Sequence, residues 1–170
     1  MTISMHRSSI PVLSRTLNNL INILKKGEAH AEAKGIDPSI LVNSRLYPDM
    51  FPLSKQIQIA SDVARRGTAR LAGVEAPAME DNETTFPELI ARLQTSIDYL
   101  ATFTPDQING SEEKEVQVPI GGGNSITMQG WPFLQFFVLP NVYFHVTTAY
   151  DILRHNGVEV GKRDFLGSPN

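Results

Sequence analysis

The sequence predicts an all-α fold, a four-helix bundle with a β-hairpin inserted between helices three and four. Three observations carry that reading. Four long stretches place apolar residues at three- and four-residue spacing, the stripe of an amphipathic helix. One stretch between the third and fourth of these alternates with period two. The 170 residues are 41% hydrophobic and 19% charged, an ordinary globular balance that fits a single domain over 1–170.

The first helix runs from about Ser9 to Ala33. Leu13, Leu17, Leu20 and Leu24, flanked by Ile21, form its stripe. Pro11 falls in the expected first turn, where its missing N–H costs nothing. Gly35 and Asp37-Pro38 stop the helix. Ile36 to Met50 reads as a connection holding a short helical turn.

A second helix covers about Phe51 to Leu71, with Pro52 in its first turn. Its stripe is Leu53, Ile57, Ala60, Ala64 and Leu71, widened by Ile59 and Val63. Gly73 and Ala76-Pro77 end it. Glu80-Asp81-Asn82-Glu83 follows as an acidic, solvated loop.

The third helix opens on Thr85-Phe86-Pro87-Glu88, a capping box in which Thr85 and Glu88 bond each other's backbone N–H. Phe86, Leu89, Leu93, Ile97 and Leu100 supply the apolar face, and Thr104-Pro105 closes the helix.

From Lys114 to Gln129, Val116, Val118 and Ile120 alternate with polar residues or proline. After Gly121-Gly122-Gly123-Asn124 the alternation resumes through Ile126 and Met128, giving a hairpin. Its apolar side is expected against the bundle or a partner, and Pro119 places it at an edge.

The fourth helix spans about Trp131 to His155 and ends on Asn156-Gly157. It is aromatic-rich: Trp131, Phe133, Phe136, Phe137, Tyr143, Phe144 and Tyr150. Pro140 in its interior deletes the bond to the Phe136 carbonyl, so a kink or a split is expected there. The tail, Val158 to Asn170, is expected to dock along the surface.

Composition narrows the functions. The chain has no cysteine, which removes disulfides, thiolate metal ligands and cysteine nucleophiles. Its net charge of −3 provides no basic field for nucleic acid or an anionic membrane surface. No apolar run approaches the ~18 residues of a membrane span. No apolar segment follows Arg7 as a secretory signal would require. A soluble, cytoplasmic protein is the expectation. GxGxxG, the phosphate-binding GxxxxGK, HExxH and GxSxG are all missing.

Any chemistry then rests on the four histidines and their polar neighbours. His6 is expected in solvent. His155 suits the last turn of helix four, where the dipole favours partial positive charge. His30 lies between Glu28 and Glu32, neither at the spacing that converges on one metal, and reads as a partly exposed imidazole.

His145 differs. Leu134, Val138, Asn141, His145, Ala149 and Ile152 follow at spacings of four, three, four, four and three, which puts Asn141 and His145 on the core-facing stripe. Buried polar groups need partners, so the pair forms either a structural network or an internal site for a ligand, water or metal. On helix two, Gln56 falls on the apolar side, whereas Gln58 and Asp62 project away from it.

Leu139-Pro140-Asn141-Val142-Tyr143-Phe144-His145 through Leu153-Arg154-His155-Asn156-Gly157, with Tyr47-Pro48-Asp49-Met50-Phe51-Pro52-Leu53 and Gly161-Lys162-Arg163-Asp164-Phe165-Leu166-Gly167, resembles a bacterial family of unassigned function. That family falls within the DinB-like superfamily of four-helix bundles. The resemblance implies a divalent metal, zinc or nickel, on three histidines, one from helix two and two from an HxxxH on the last helix. It also implies enzyme chemistry of transferase or hydrolase type, since some relatives transfer low-molecular-weight thiols.

Carried over residue by residue, His145 matches the second histidine of HxxxH and stands as the catalytic or metal-holding residue. Asn141 replaces the first histidine, and Gln56 or Gln58 stands at the helix-two position, as ligand-binding candidates. Amide oxygens hold zinc or nickel far less tightly than imidazoles. The alternative expectation is a metal-free bundle that binds a small molecule or serves as a structural homodimer, for which the aromatic surplus of helix four would supply an apolar face.

Overall fold

A computed structural model describes residues 3–168 of the chain. The element order is α1 (Met5–Lys34), α2 (Pro38–Val42), α3 (Leu53–Ala72), α4 (Phe86–Ala101), α5 (Pro105–Ile108), β1 (Glu115–Gly121), β2 (Asn124–Gln129), α6 (Gly130–Phe133), a π-turn (Leu134–Val138), α7 (Leu139–His155) and α8 (Lys162–Leu166). The four long helical runs form the bundle. α3 packs on α4 and α7, and α1 packs on α4, α7 and α8. Their stripes join in one apolar core that includes Leu17, Leu24, Ile57, Leu93 and Val146. Among the described residues no helix is long and apolar enough to cross a membrane.

α1 begins earlier than its apolar period suggests. The Ser4 side chain accepts the Arg7 N–H as N-cap, and Met5 is already buried. Pro11 therefore lies well inside the helix, not in its first turn. Pro11 and Arg7 are both exposed, so the bond that the proline cannot make is lost on the solvent-facing side of the helix. His6 is not simply solvated: its Nε2 lies 3.2 Å from the Phe103 carbonyl and ties α1 to the end of α4.

α2 is the expected helical turn, capped by Asp37, whose carboxylate accepts the Ser39 N–H. Pro52 is the N-cap of α3 and precedes its first turn. The capping box of α4 is present at Thr85 and Glu88. Gly67 marks a close approach of α3 to the last helical run: a Cβ there would stand 2.8 Å from Cγ2 of Val138.

The hairpin pairs Val116 with Met128 and Val118 with Ile126, and turns through Gly122 and Gly123 at φ 59° and 77°. Both turn residues need positive φ, the signature of the tight hairpin turn whose twist suits paired strands. Val116 and Val118 are buried, while Ile120 and Ile126 stay exposed. The hairpin thus anchors by its base, and its tip stands clear of the bundle.

The fourth helical run stays helical through Pro140 but is interrupted just before it. A π-turn precedes it, with the Leu139 N–H reaching back to the Leu134 carbonyl. The wider turn absorbs the proline, which becomes an early residue of α7. It also inserts one residue's worth of rotation, ~100°, into the helix phase. The buried stripe of α7 accordingly runs Val142, Val146, Ala149 and Leu153. Asn141 and His145 are half-buried on its flank rather than on the core-facing line.

The tail docks as α8 against α1. Lys26 pairs with Asp164 at 2.6 Å, the Asn19 amide donates to the Phe165 carbonyl, and Arg15 donates to the Leu166 carbonyl.

Candidate functional site

His145 on α7 meets Gln56 on α3. Imidazole Nδ1 lies 2.7 Å from Gln56 Oε1, and Gln56 Nε2 donates to the Phe51 carbonyl at 3.2 Å. The second bond orients the first. A carbonyl oxygen can only accept, so the amide nitrogen must point at Phe51 and the amide oxygen at His145. Nδ1 then carries the proton, and Nε2 is left as a bare acceptor. Gln56 itself is fully buried, which fixes the relay on the rigid start of α3.

Burial lowers the pKa of His145 below the ordinary 6.5, so the ring is neutral near pH 7. The exposed Phe144 ring stands edge-on to it, with centroids 5.2 Å apart. A neutral imidazole with one fixed proton, one open lone pair and an aromatic neighbour can accept a hydrogen bond from a ligand or take its proton.

The other two predicted residues lie differently. Asn141, one turn before His145, is half-buried and bonded to neither His145 nor Gln56. Gln58 sits ~200° round α3 from Gln56. It does not project into solvent: it is buried, and its amide donates to Glu83 at 3.0 Å.

Gln58 belongs to a charged network that sequence reasoning missed. Arg92 of α4, 2% exposed, donates to Glu83 and to the Glu80 carbonyl through Nη1, and meets Asp62 and Asp81 through Nη2 at 2.9 Å each. Burial opposes its charge, but the bonds to Glu83 and the fields of Asp62 and Asp81 outweigh that and raise its pKa. The segment 80–83 is thus a clamp on Arg92, not a merely solvated loop. A signal did exist: Arg92 occupies the same face as Leu89, Leu93 and Ser96, where an unpaired charge would be prohibitive.

Beside this network, α3, the hairpin base and the π-turn enclose a cleft of about 430 Å³. Its polar wall is α3, with Gln58, Asp62, Arg66 and Arg70; its apolar wall includes Val118, Phe137 and Val138.

The donor set does not fit the divalent metal that the resemblance implies. Asn141 and Gln56 offer neutral amides, which leaves His145 as the lone imidazole of the set, and among the described residues no three His, Asp or Glu side chains converge. Such a set lacks the imidazoles and carboxylates that hold zinc or nickel.

The model of the family described as Domain of unknown function (DUF1993) matches residues 5–166. The chain belongs to the DUF1993 family. Among solved structures, this DUF1993 chain is similar to that of a DinB family member protein from Shewanella denitrificans. The two are 42% identical, with a TM-score of 0.87, over 96% of this chain and 92% of that one. The DinB-like bundle expected from the sequence is therefore the fold. No curated protein matches the chain.

Proposed function

We propose that this DUF1993 chain is a small-molecule-binding bundle working without a resident divalent metal, with His145 as its recognition residue. One observation carries the reading: the Gln56 relay fixes the ring proton on Nδ1 and leaves Nε2 open, beside the exposed Phe144 ring. A ligand bearing a hydrogen-bond donor next to a flat apolar group suits that surface. A sufficiently acidic donor would pass its proton to Nε2, and His145 would then serve as general base.

The test is a binding screen by thermal shift and NMR against thiols, organic acids and aromatic metabolites, on wild type and His145→Ala. The reading expects at least one ligand whose affinity falls by about tenfold or more in the variant, the loss of one hydrogen bond to a polar partner. A flat response across the panel, or equal binding by the variant, overturns it.

A second observation supports homodimer formation. Phe136 is 75% exposed and Phe144 60%, with Trp131 and Tyr143 also open on the same helical run. Exposed aromatic rings gathered on one element mark an interface. Sedimentation velocity at micromolar concentration is expected to give a dimer that Phe136→Ser/Phe144→Ser dissociates. A wild-type monomer rejects the dimer.

A further inference from the structure

The cleft between α3, the hairpin base and the π-turn has an uneven supply of charge. Lys55 is matched by Asp81. Asp62 is shared among three guanidinium groups: Arg65 and Arg92 at 2.9 Å and Arg66 at 3.0 Å. Arg70, one turn beyond Arg66, has no carboxylate within 4.0 Å among the described residues, although it is partly buried. Glu75 lines an adjoining opening with Arg66 and Arg70 but pairs with neither. Two like charges at i, i+4 repel along a helix, and a counter-anion between them removes that cost.

Opposite the guanidinium groups the cleft is hydrocarbon. Val118 of the hairpin and Phe133, Phe137 and Val138 of the last helical run line that side, while Ile59 and Val63 add apolar surface on α3 beside the arginines. Phe133 and Phe137 stack at 5.7 Å with an 18° interplanar angle, which makes the aromatic wall rigid. A volume of about 430 Å³ lies within the range of small-ligand sites. The guanidinium fork matches a carboxylate in shape and charge. Desolvation and the field of Arg66 already lower the pKa of Arg70, the condition a bound anion relieves.

We propose that this cleft is a binding site for a small organic monocarboxylate with an aromatic or branched apolar body, the carboxylate between Arg66 and Arg70 and the body on Val63, Val118 and Phe137. Neither Gln56 nor His145 lines this cleft, so the site is independent of the His145 reading.

Phenylacetate titrated into the full-length, isotopically labelled chain is the probe. The expected result is saturable shifts of the Arg70, Val118 and Phe137 signals, with affinity weakened about tenfold or more by Arg70→Gln, the value of one charge-assisted hydrogen bond. On wild type, phenylacetamide and inorganic phosphate, each carrying half of the recognition, are expected to bind at least about tenfold more weakly. These comparisons stand even if the variant is unstable. His145→Ala is expected to bind phenylacetate as wild type does, which separates failure here from failure of the His145 reading. The proposal is overturned if phenylacetate moves no cleft signal up to its solubility limit, if the amide or phosphate binds equally well, or if a folded Arg70→Gln binds like wild type.

Discussion

His145 and Gln56 are joined by a 2.7 Å hydrogen bond across the α3–α7 seam, and that bond settles which ring nitrogen is free. In a bundle whose last helix buries mainly aliphatic residues, the pair is a polar link between the two helices. Truncating it leaves a polar group without its partner.

Gln56→Leu is therefore expected to destabilise the fold by about 1–3 kcal/mol, through the loss of two bonds and the exposure of an unpaired imidazole N–H to a half-buried site. Urea unfolding checks this, and an unchanged midpoint would contradict it.

The lowered pKa of His145 has a direction in pH. As pH falls, the unfolded chain takes up the proton near 6.5, before the folded chain does. Its contribution to stability is whole above that value and declines as pH drops from there to the folded pKa. Wild type is expected to lose more stability than His145→Gln over that interval. Parallel pH profiles for the two proteins would refute the shift.

Arg92 holds three carboxylates and a carbonyl from the α3–α4 region. Arg92→Met keeps the packing volume but leaves the partly buried Glu83 without a cation, and takes one partner each from Asp62 and Asp81, which keep Arg65, Arg66 and Lys55. A loss of about 3 kcal/mol is expected, the low end for a broken buried ion pair because Asp81 retains solvent. Arg92→Lys is expected to recover only part of it, since an ammonium cannot fork to both sides. Equal stability of wild type and Arg92→Met by chemical denaturation would contradict the clamp.

Gly67→Ala is expected to cost about 1–3 kcal/mol despite alanine's better helix propensity, because the added methyl would meet Val138 at 2.8 Å. Val138→Ala in the same chain is expected to return most of the loss. A double-mutant cycle by thermal unfolding measures the coupling, and additive effects would show that the seam gives way freely.

The bundle was legible because its stripes are long and its stops chemical. Leu13 to Leu24, the Thr85–Glu88 box and the αL glycines Gly35 and Gly73 each dictate structure within a few residues. The candidate site was legible in part. Gln56 fell on the correct face, since α3 keeps an uninterrupted period and Gln56 buries with Leu53, Ile57 and Ala60. The flank position of Asn141 and His145 was not, because the π-turn at Leu134–Val138 shifts the phase of everything after it. Nor was the Arg92 network, in which Asp62, 30 residues from Arg92, and the 80–83 segment meet the guanidinium only once α3 and α4 pack.

A two-bond proton–nitrogen correlation spectrum of the His145 ring near neutral pH tests the central claim most directly, since it reports which nitrogen bears the proton. The account predicts a protonated Nδ1 and a bare Nε2, unchanged by added zinc or nickel, with an apparent pKa below the ordinary histidine value. A proton on Nε2, a fully charged ring, or a stoichiometric metal-induced shift at His145 would contradict it.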